Sequence, residues 1–248
     1  MPEQQKQVTL DEITRVAELL ARAYPHIRRQ KAAEGVFADS PLESLVRAVL
    51  SQNTTDVNRD RAFASLRRHF PTWRQMAVAP VDEVAKAITT NFNNTKARHI
   101  QEILHILRGE YGDYSLDFPR DWPTDRIVKF LTDLPGVGRK SAAIVSLFAL
   151  GRPVIPVDRH VLRVARRLGW LPEDVIADRA HDLLQRLIPE ELILPLHMGM
   201  WAHGHATCRP TPLCAQCAIY RFCRYPAKTA PEPAVEEAVA ITAVKEAA

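Results

Sequence analysis

The chain has 248 residues, 46% hydrophobic and 25% charged, a balance that excludes collagen-like, mucin-like and largely disordered architectures. That length suits one large domain or two modest ones. Lys and Arg number 33 against 29 Asp and Glu, for a net charge of +4. The part after Pro226 is acidic (Lys228 and Lys245 against Glu232, Glu236, Glu237 and Glu246), so the positive charge resides before it, where it suits a polyanion such as nucleic acid. No apolar run is long enough to cross a bilayer, and Met1 to Val8 is polar with no secretory core. A cytoplasmic protein is expected.

Helical periodicity runs through most of the chain. Thr9-x-x-Glu12 reads as a capping box before a helix with Ile13, Val16, Ala17 and Leu20 on one face. Leu42, Leu45, Val46, Val49 and Leu50 mark a second helix, and Asp56 is placed as the cap of a third with Val57, Phe63 and Leu66 inward. Val81 to Ile88 suits a short helix between turn signals. Thr95 is placed as the cap of a longer run through Ala97, Ile100, Ile103, Leu104 and Leu107, with Gly109 and Gly112 at its end.

Ile127, Val128, Phe130 and Leu131 then form an apolar face, a break follows, and Arg139 to Leu150 resumes as helix. Further helices are expected at Arg159–Leu168, Pro172–Leu187 and Glu190–Gly204. Alternation typical of strands is not sustained, which favours an all-α fold. Residues 227–248, rich in Ala, Glu, Pro and Val, read as a flexible tail.

The break is Leu134-Pro135-Gly136-Val137-Gly138, a tight turn between two amphipathic segments. Glycines at alternate positions let a ligand approach bare backbone, and the helix that follows directs its free amides toward the turn. Such a helix–hairpin–helix can hold a DNA phosphate, directly or through a monovalent cation; the alternative is a turn that only packs helices.

Lys140 stands in the first turn of the helix after that break, in the positive field of the helix start. A neutral amine there can attack a sugar C1′ and form a Schiff base; equally, a charged one can pair with a phosphate. Asp158 precedes the apolar-periodic helix beginning at Arg159, the position of an N-cap, and its second oxygen remains able to stabilise positive charge on a sugar. His160, Arg163 and the neighbouring Arg159, Arg166 and Arg167 make a basic helix suited to backbone phosphates.

All four cysteines lie in Cys208-x5-Cys214-x2-Cys217-x5-Cys223. This crowding points to a metal site in place of a disulfide framework. Four thiolates can enclose a 4Fe–4S cluster or one zinc ion, and a single CxxC knuckle favours the cluster. Arg209, Arg221 and Arg224 decorate the loop and are read as further phosphate contacts.

Together, LPGVGRKSA (134–142), VDRH (157–160) and the cysteine quartet, supported by LSQNTTD (50–56) and NNTKA (93–97), resemble the endonuclease III branch of the helix–hairpin–helix DNA glycosylases. The resemblance implies an all-α fold of two domains: a six-helix domain over 34–152, and an iron–sulfur domain combining 1–33 with 153–226. It implies Lys140 as Schiff-base nucleophile and Asp158 as catalytic aspartate, with Gly136, Gly138 and Arg139 on the DNA backbone. It further implies a 4Fe–4S cluster on Cys208, Cys214, Cys217 and Cys223.

The implied activity is excision of oxidised pyrimidines from damaged double-stranded DNA by a monomer, followed by β-elimination at the abasic site. Where relatives use a glutamine to fill the emptied base position, this chain places Asn53, with Gln52 beside it; where a leucine wedge is expected it has Phe92. Arg47 stands where adenine glycosylases carry a catalytic glutamate, and the first cysteine gap is five residues instead of six. Competing functions are an abasic-site lyase with weak base excision, a monofunctional mismatch glycosylase, and a non-catalytic structure-specific DNA-binding protein.

Overall fold

The computed structural model describes residues 8–27, 40–117 and 121–228, and among these the regular structure is helical with no strand. In chain order the helices are α1 (Leu10–Ala23), α2 (Pro41–Leu50), α3 (Asp56–His69), α4 (Trp73–Val78), α5 (Val81–Ala87) and α6 (Asn93–Tyr111). They continue with α7 (Thr124–Asp133), α8 (Arg139–Ile144), α9 (Arg159–Arg167), α10 (Ala177–Leu187) and α11 (Glu190–Ala206). Two compact units result: one from the described parts of Met1–Glu34 and Pro153–Ala248, the other from Gly35–Arg152. The expected tail lies outside the described residues except for Ala227 and Lys228.

In the Gly35–Arg152 unit the apolar stripes meet as their spacing predicts. Leu45, Val46, Val49 and Leu50 of α2, Ile100, Ile103, Leu104 and Leu107 of α6, and Ile127 and Leu131 of α7 are fully buried in one core. Each such side chain stabilises by about 1.5–3 kcal/mol through area removed from water.

Several ends differ from expectation. Thr55, one residue before Asp56, caps α3, its hydroxyl accepting from Asn58 N at 3.3 Å. Val57 is exposed: it stands five and six residues before the buried Ala62 and Phe63, about 120–140° round the helix from them. α6 starts at Asn93, two residues before Thr95, and runs through Gly109 to a left-handed Gly112 at φ 77°. The segment expected as one helix from Arg139 to Leu150 widens after Ile144 into a π-turn, Val145–Ala149. Residues 172–176 lie outside α10, which begins at Ala177.

The other unit joins the two ends of the chain. Ile13, Val16 and Leu20 of α1 are buried, and α1 packs on α11. The helices approach closely at Gly199, where an added Cβ would lie 2.7 Å from Leu20 Cβ. Gly204 gives the same access to α9, with His160 Cβ at 2.8 Å. Only half of the expected capping box forms: Thr9 accepts from Glu12 N, while the Glu12 carboxylate accepts from Trp170 Nε1 at 2.8 Å and pairs with Arg224 Nη2 at 2.7 Å.

Candidate DNA-binding and catalytic site

The 134–138 hairpin of the Gly35–Arg152 unit is closed by Val137 N donating to Leu134 O at 3.1 Å. Its two glycines serve different ends. Gly136 has φ +72°, and a Cβ there would meet His99 Nδ1 at 2.1 Å, so both backbone and packing require glycine. Gly138 has φ −89° and nothing within 4 Å of a built Cβ. The fold itself makes no demand for glycine at 138, and the open space beside its backbone is what an approaching phosphate would need.

Gly138 is the N-cap of α8 and offers no side-chain cap, leaving the first amides of that helix to an outside acceptor. Arg139 is half-buried in the first turn. Lys140 follows it; its side chain is exposed, with no hydrogen-bond or ion-pair partner among the described residues.

Two loops of the same unit carry the residues expected to act on the opened duplex. Gln52 donates from Nε2 to Gly136 O at 2.7 Å, which ties its loop to the hairpin. The neighbouring Asn53 is exposed at φ 53°, and Phe92, the N-cap of α6, is 64% exposed at φ 58°. Among the described residues these two are the only non-glycine residues with positive φ, a conformation that costs energy and gathers at functional positions. Arg47, by contrast, is engaged within the fold: its Nη1 pairs with Asp60 Oδ1 at 3.0 Å and its guanidinium lies 3.8 Å over the Phe63 ring.

Lys96, the charged residue of NNTKA, was not singled out from the sequence. It is 2% exposed, and its Nζ donates to Leu50 O (2.9 Å), Gln52 O (2.8 Å) and Thr90 Oγ1 (3.0 Å). Burial lowers its pKa from the ordinary lysine value, yet three acceptors match the three donors of an ammonium. The available signal was its register: Lys96 continues the stripe of Ile100, Ile103 and Leu107, where a cation is out of place unless oxygens await it.

In the unit formed by the chain ends, Asp158 is the N-cap of α9. Its Oδ1 accepts from His160 N and Val161 N, both at 2.8 Å, while Oδ2 has no hydrogen-bond partner among the described residues. His160 lies between Arg159 Nε (3.1 Å from Nε2) and Arg163 Nη2 (3.2 Å from Nδ1). A neutral imidazole has one acceptor nitrogen, so only one of these approaches is a hydrogen bond at a time. Burial first, then the two arginines, hold His160 below the usual histidine range.

The arginines of α9 turn largely inward. Arg163 donates to Cys208 O (2.7 Å) and Gly204 O (2.6 Å), and Arg166 to Val175 O. Arg167 donates to Arg209 O (2.7 Å) and Pro210 O (2.9 Å). Three side chains expected on phosphates thus hold the cysteine loop and the turn before α10. Arg224 is likewise engaged by Glu12, and Arg209 donates to Ala206 O at 2.9 Å.

Cys208, Cys214, Cys217 and Cys223 line one cavity together with Arg167 and Tyr220, and none is in a disulfide. Arg167 Nη1 lies 3.3 Å from Cys208 Sγ, and His203 Nε2 lies 3.5 Å from Cys217 Sγ. Burial pushes the Cys217 thiol up to about 12 and raises Cys223 as well, and it drives the His203 imidazole down to about 3. The sulfurs surround the cavity; among the described residues no three His, Cys, Asp or Glu side chains converge on a single-ion site.

A family model described as "HhH-GPD superfamily base excision DNA repair protein" matches residues 46–190, from α2 to the start of α11. The chain belongs to the HhH-GPD superfamily. Within it, this is a DNA glycosylase of the endonuclease III type. Endonuclease III of Thermotoga maritima is 33% identical over 75% of this chain and 83% of its own. An Arabidopsis thaliana protein named "Putative DNA glycosylase" is 36% identical over 67% of this chain, which spans only 57% of that longer relative. A solved structure of an endonuclease III trapped as a covalent DNA intermediate superposes with TM-score 0.73 at 30% identity, over 88% of this chain and 97% of that one. Among the described residues no helix is long and apolar enough to cross a membrane.

Proposed function

We propose that this glycosylase is bifunctional: it excises oxidised pyrimidines from double-stranded DNA and cleaves the abasic strand through a Schiff base on Lys140, acting as a monomer. The observation that carries this is the exposed Lys140 side chain in the first turn of α8, without a partner among the described residues and directly after a hairpin whose Gly138 leaves open space beside the backbone. The hairpin amides, with Gly136, Gly138 and Arg139, hold a phosphate beside the lesion, directly or through a monovalent cation. Extrusion of the damaged nucleotide is assisted by Phe92 as wedge and Asn53 as filler, with Gln52 and His160 beside the DNA.

The neutral Lys140 Nζ attacks C1′, the base departs with the electrons of the glycosidic bond and one amine proton, and passage of the other to O4′ opens the ring to an imine between lysine and sugar. Removal of a C2′ proton then expels the 3′ phosphate by β-elimination, and water hydrolyses the imine to free Lys140. Asp158 keeps Oδ1 on the α9 amides and uses Oδ2 to stabilise positive charge developing on the sugar.

The four cysteines are proposed to hold a 4Fe–4S cluster. Thiols distributed round a cavity suit a group with a body of its own, and such a group would staple the loop through its four cysteines. Arg163 and Arg167 support that loop from α9.

Borohydride reduction in the presence of an abasic duplex tests the reaction class. Wild-type protein is expected to yield a covalent adduct and Lys140→Ala none, with DNA binding retained. A Lys140→Ala protein that still forms the adduct would remove this lysine from the mechanism. Lesion duplexes assayed with and without alkali then separate base loss from strand cleavage.

A further inference from the structure

We propose that Lys96 is a positioning residue for nucleotide extrusion: its buried ammonium locks the Asn53 loop and the Phe92 loop into one rigid unit tied to the hairpin. The inference rests on the DNA glycosylase reading above, but not on the Schiff base.

The geometry is specific. One bond from Lys96 Nζ goes to Leu50 O at the last residue of α2, where a helix end offers an unpaired carbonyl and a negative dipole field. A second goes to Gln52 O, the peptide oxygen immediately before Asn53. The third goes to Thr90 Oγ1, two residues before Phe92. Lys96 is also directly tied to the wedge residue through its own amide, which donates to Phe92 O at 3.0 Å. Both residues with strained left-handed backbones are therefore fixed through one side chain.

Gln52 extends the connection, because its side chain donates to Gly136 O while its carbonyl accepts from Lys96. The three acceptors of Lys96 are neutral oxygens, so the charge is not neutralised by a carboxylate. A buried cation held this way is costly where a methionine would pack. Its presence is explained if fixing two loops against DNA matters more than the stability of the core. A wedge and a filler must enter the duplex together, since unstacking a step without filling the gap, or the reverse, leaves the opened state unsupported.

The test uses the full chain with Lys96→Met and with Thr90→Val. The second variant removes only the side-chain bond from Lys96 to the Phe92 loop and keeps the buried charge on two carbonyls, so it serves where the first fails to fold. The probe is a duplex carrying 2-aminopurine next to a non-cleavable tetrahydrofuran abasic analogue, whose fluorescence rises when the neighbouring step unstacks. Single-turnover excision from a thymine-glycol duplex and borohydride trapping on an abasic single strand are read alongside.

Both variants are expected to lose most of the fluorescence rise and to slow duplex excision by about 10- to 100-fold, while trapping on the single strand, which needs no extrusion, proceeds as in wild type. A folded Thr90→Val protein with the full fluorescence rise and undiminished duplex excision overturns the proposal, as does an equal loss on duplex and single strand. If wild type gives the fluorescence rise but no trapped adduct, the Lys140 reading fails and the Lys96 assignment is still decided by the fluorescence of the variants.

Discussion

Replacing each hairpin glycine by alanine in turn separates what the fold needs from what DNA needs. At Gly136, with φ +72°, alanine in the left-handed region costs about 1–2 kcal/mol. Its Cβ also falls 2.1 Å from His99 Nδ1, and forcing that half-buried ring aside adds roughly 1–3 kcal/mol. The gain from a stiffer unfolded chain returns about 0.4–1 kcal/mol, so Gly136→Ala should destabilise by about 1–5 kcal/mol.

At Gly138 the sign changes. With φ −89° and ψ 173° alanine is unstrained, and its Cβ meets nothing within 4 Å, so stability should hold or rise by up to about 1 kcal/mol. DNA binding should suffer instead. A methyl group in the phosphate's path that breaks one charge-assisted amide bond removes about 1.5–3 kcal/mol, roughly a 10- to 150-fold loss of affinity. Urea denaturation measures the first quantity, and anisotropy of a labelled tetrahydrofuran duplex at fixed salt the second. Wild-type affinity in Gly138→Ala would refute the hairpin as the phosphate seat, and an undisturbed Gly136→Ala would refute the role given to His99.

Asp158 can be divided in the same way between cap and catalyst. Asn caps as well as Asp, so Asp158→Asn should unfold like wild type while single-turnover excision falls by about 10²- to 10³-fold; Asp158→Ala should additionally lose about 1 kcal/mol of stability. Equal excision by Asp158→Asn and wild type would reduce this residue to its cap. Cys217→Ser should abolish a visible iron–sulfur absorption band and lower the unfolding midpoint, and iron and sulfide analysis of wild type checks the assignment directly. An unchanged midpoint with no iron in the wild type would show that the loop stands without a metal group.

What the sequence conveyed best was burial. The stripes Leu45, Val46, Val49 and Ile100, Ile103, Leu107 were legible because helical spacing alone decides which residues share a face. Helix ends were less so, because adjacent residues compete for one cap: Thr55 and Asp56 both have the chemistry, and chain entry selected Thr55. Phe92 as a left-handed cap, and the π-turn after Ile144, have no local signature.

At the candidate site, the hairpin, Lys140, Asp158 and the cysteines stand out as candidates because each rests on a short contiguous pattern. The work of Arg163 and Arg167 was not, since their acceptors lie more than forty residues away, on carbonyls that any residue could supply. Lys96 was obscured for the same reason, its partners being two backbone oxygens and a hydroxyl from separate loops.

The packing of α1 on α11 has a consequence for biosynthesis. The stripe of Ile13, Val16 and Leu20 leaves the ribosome roughly 180 residues ahead of its seat around Gly199. At ordinary elongation speeds that delay is roughly ten to thirty seconds, ample time for the intervening helices to settle. During that wait the nascent amino-terminal segment offers a sticky amphipathic surface to chaperones, and termination at a premature stop before α11 would strand it permanently.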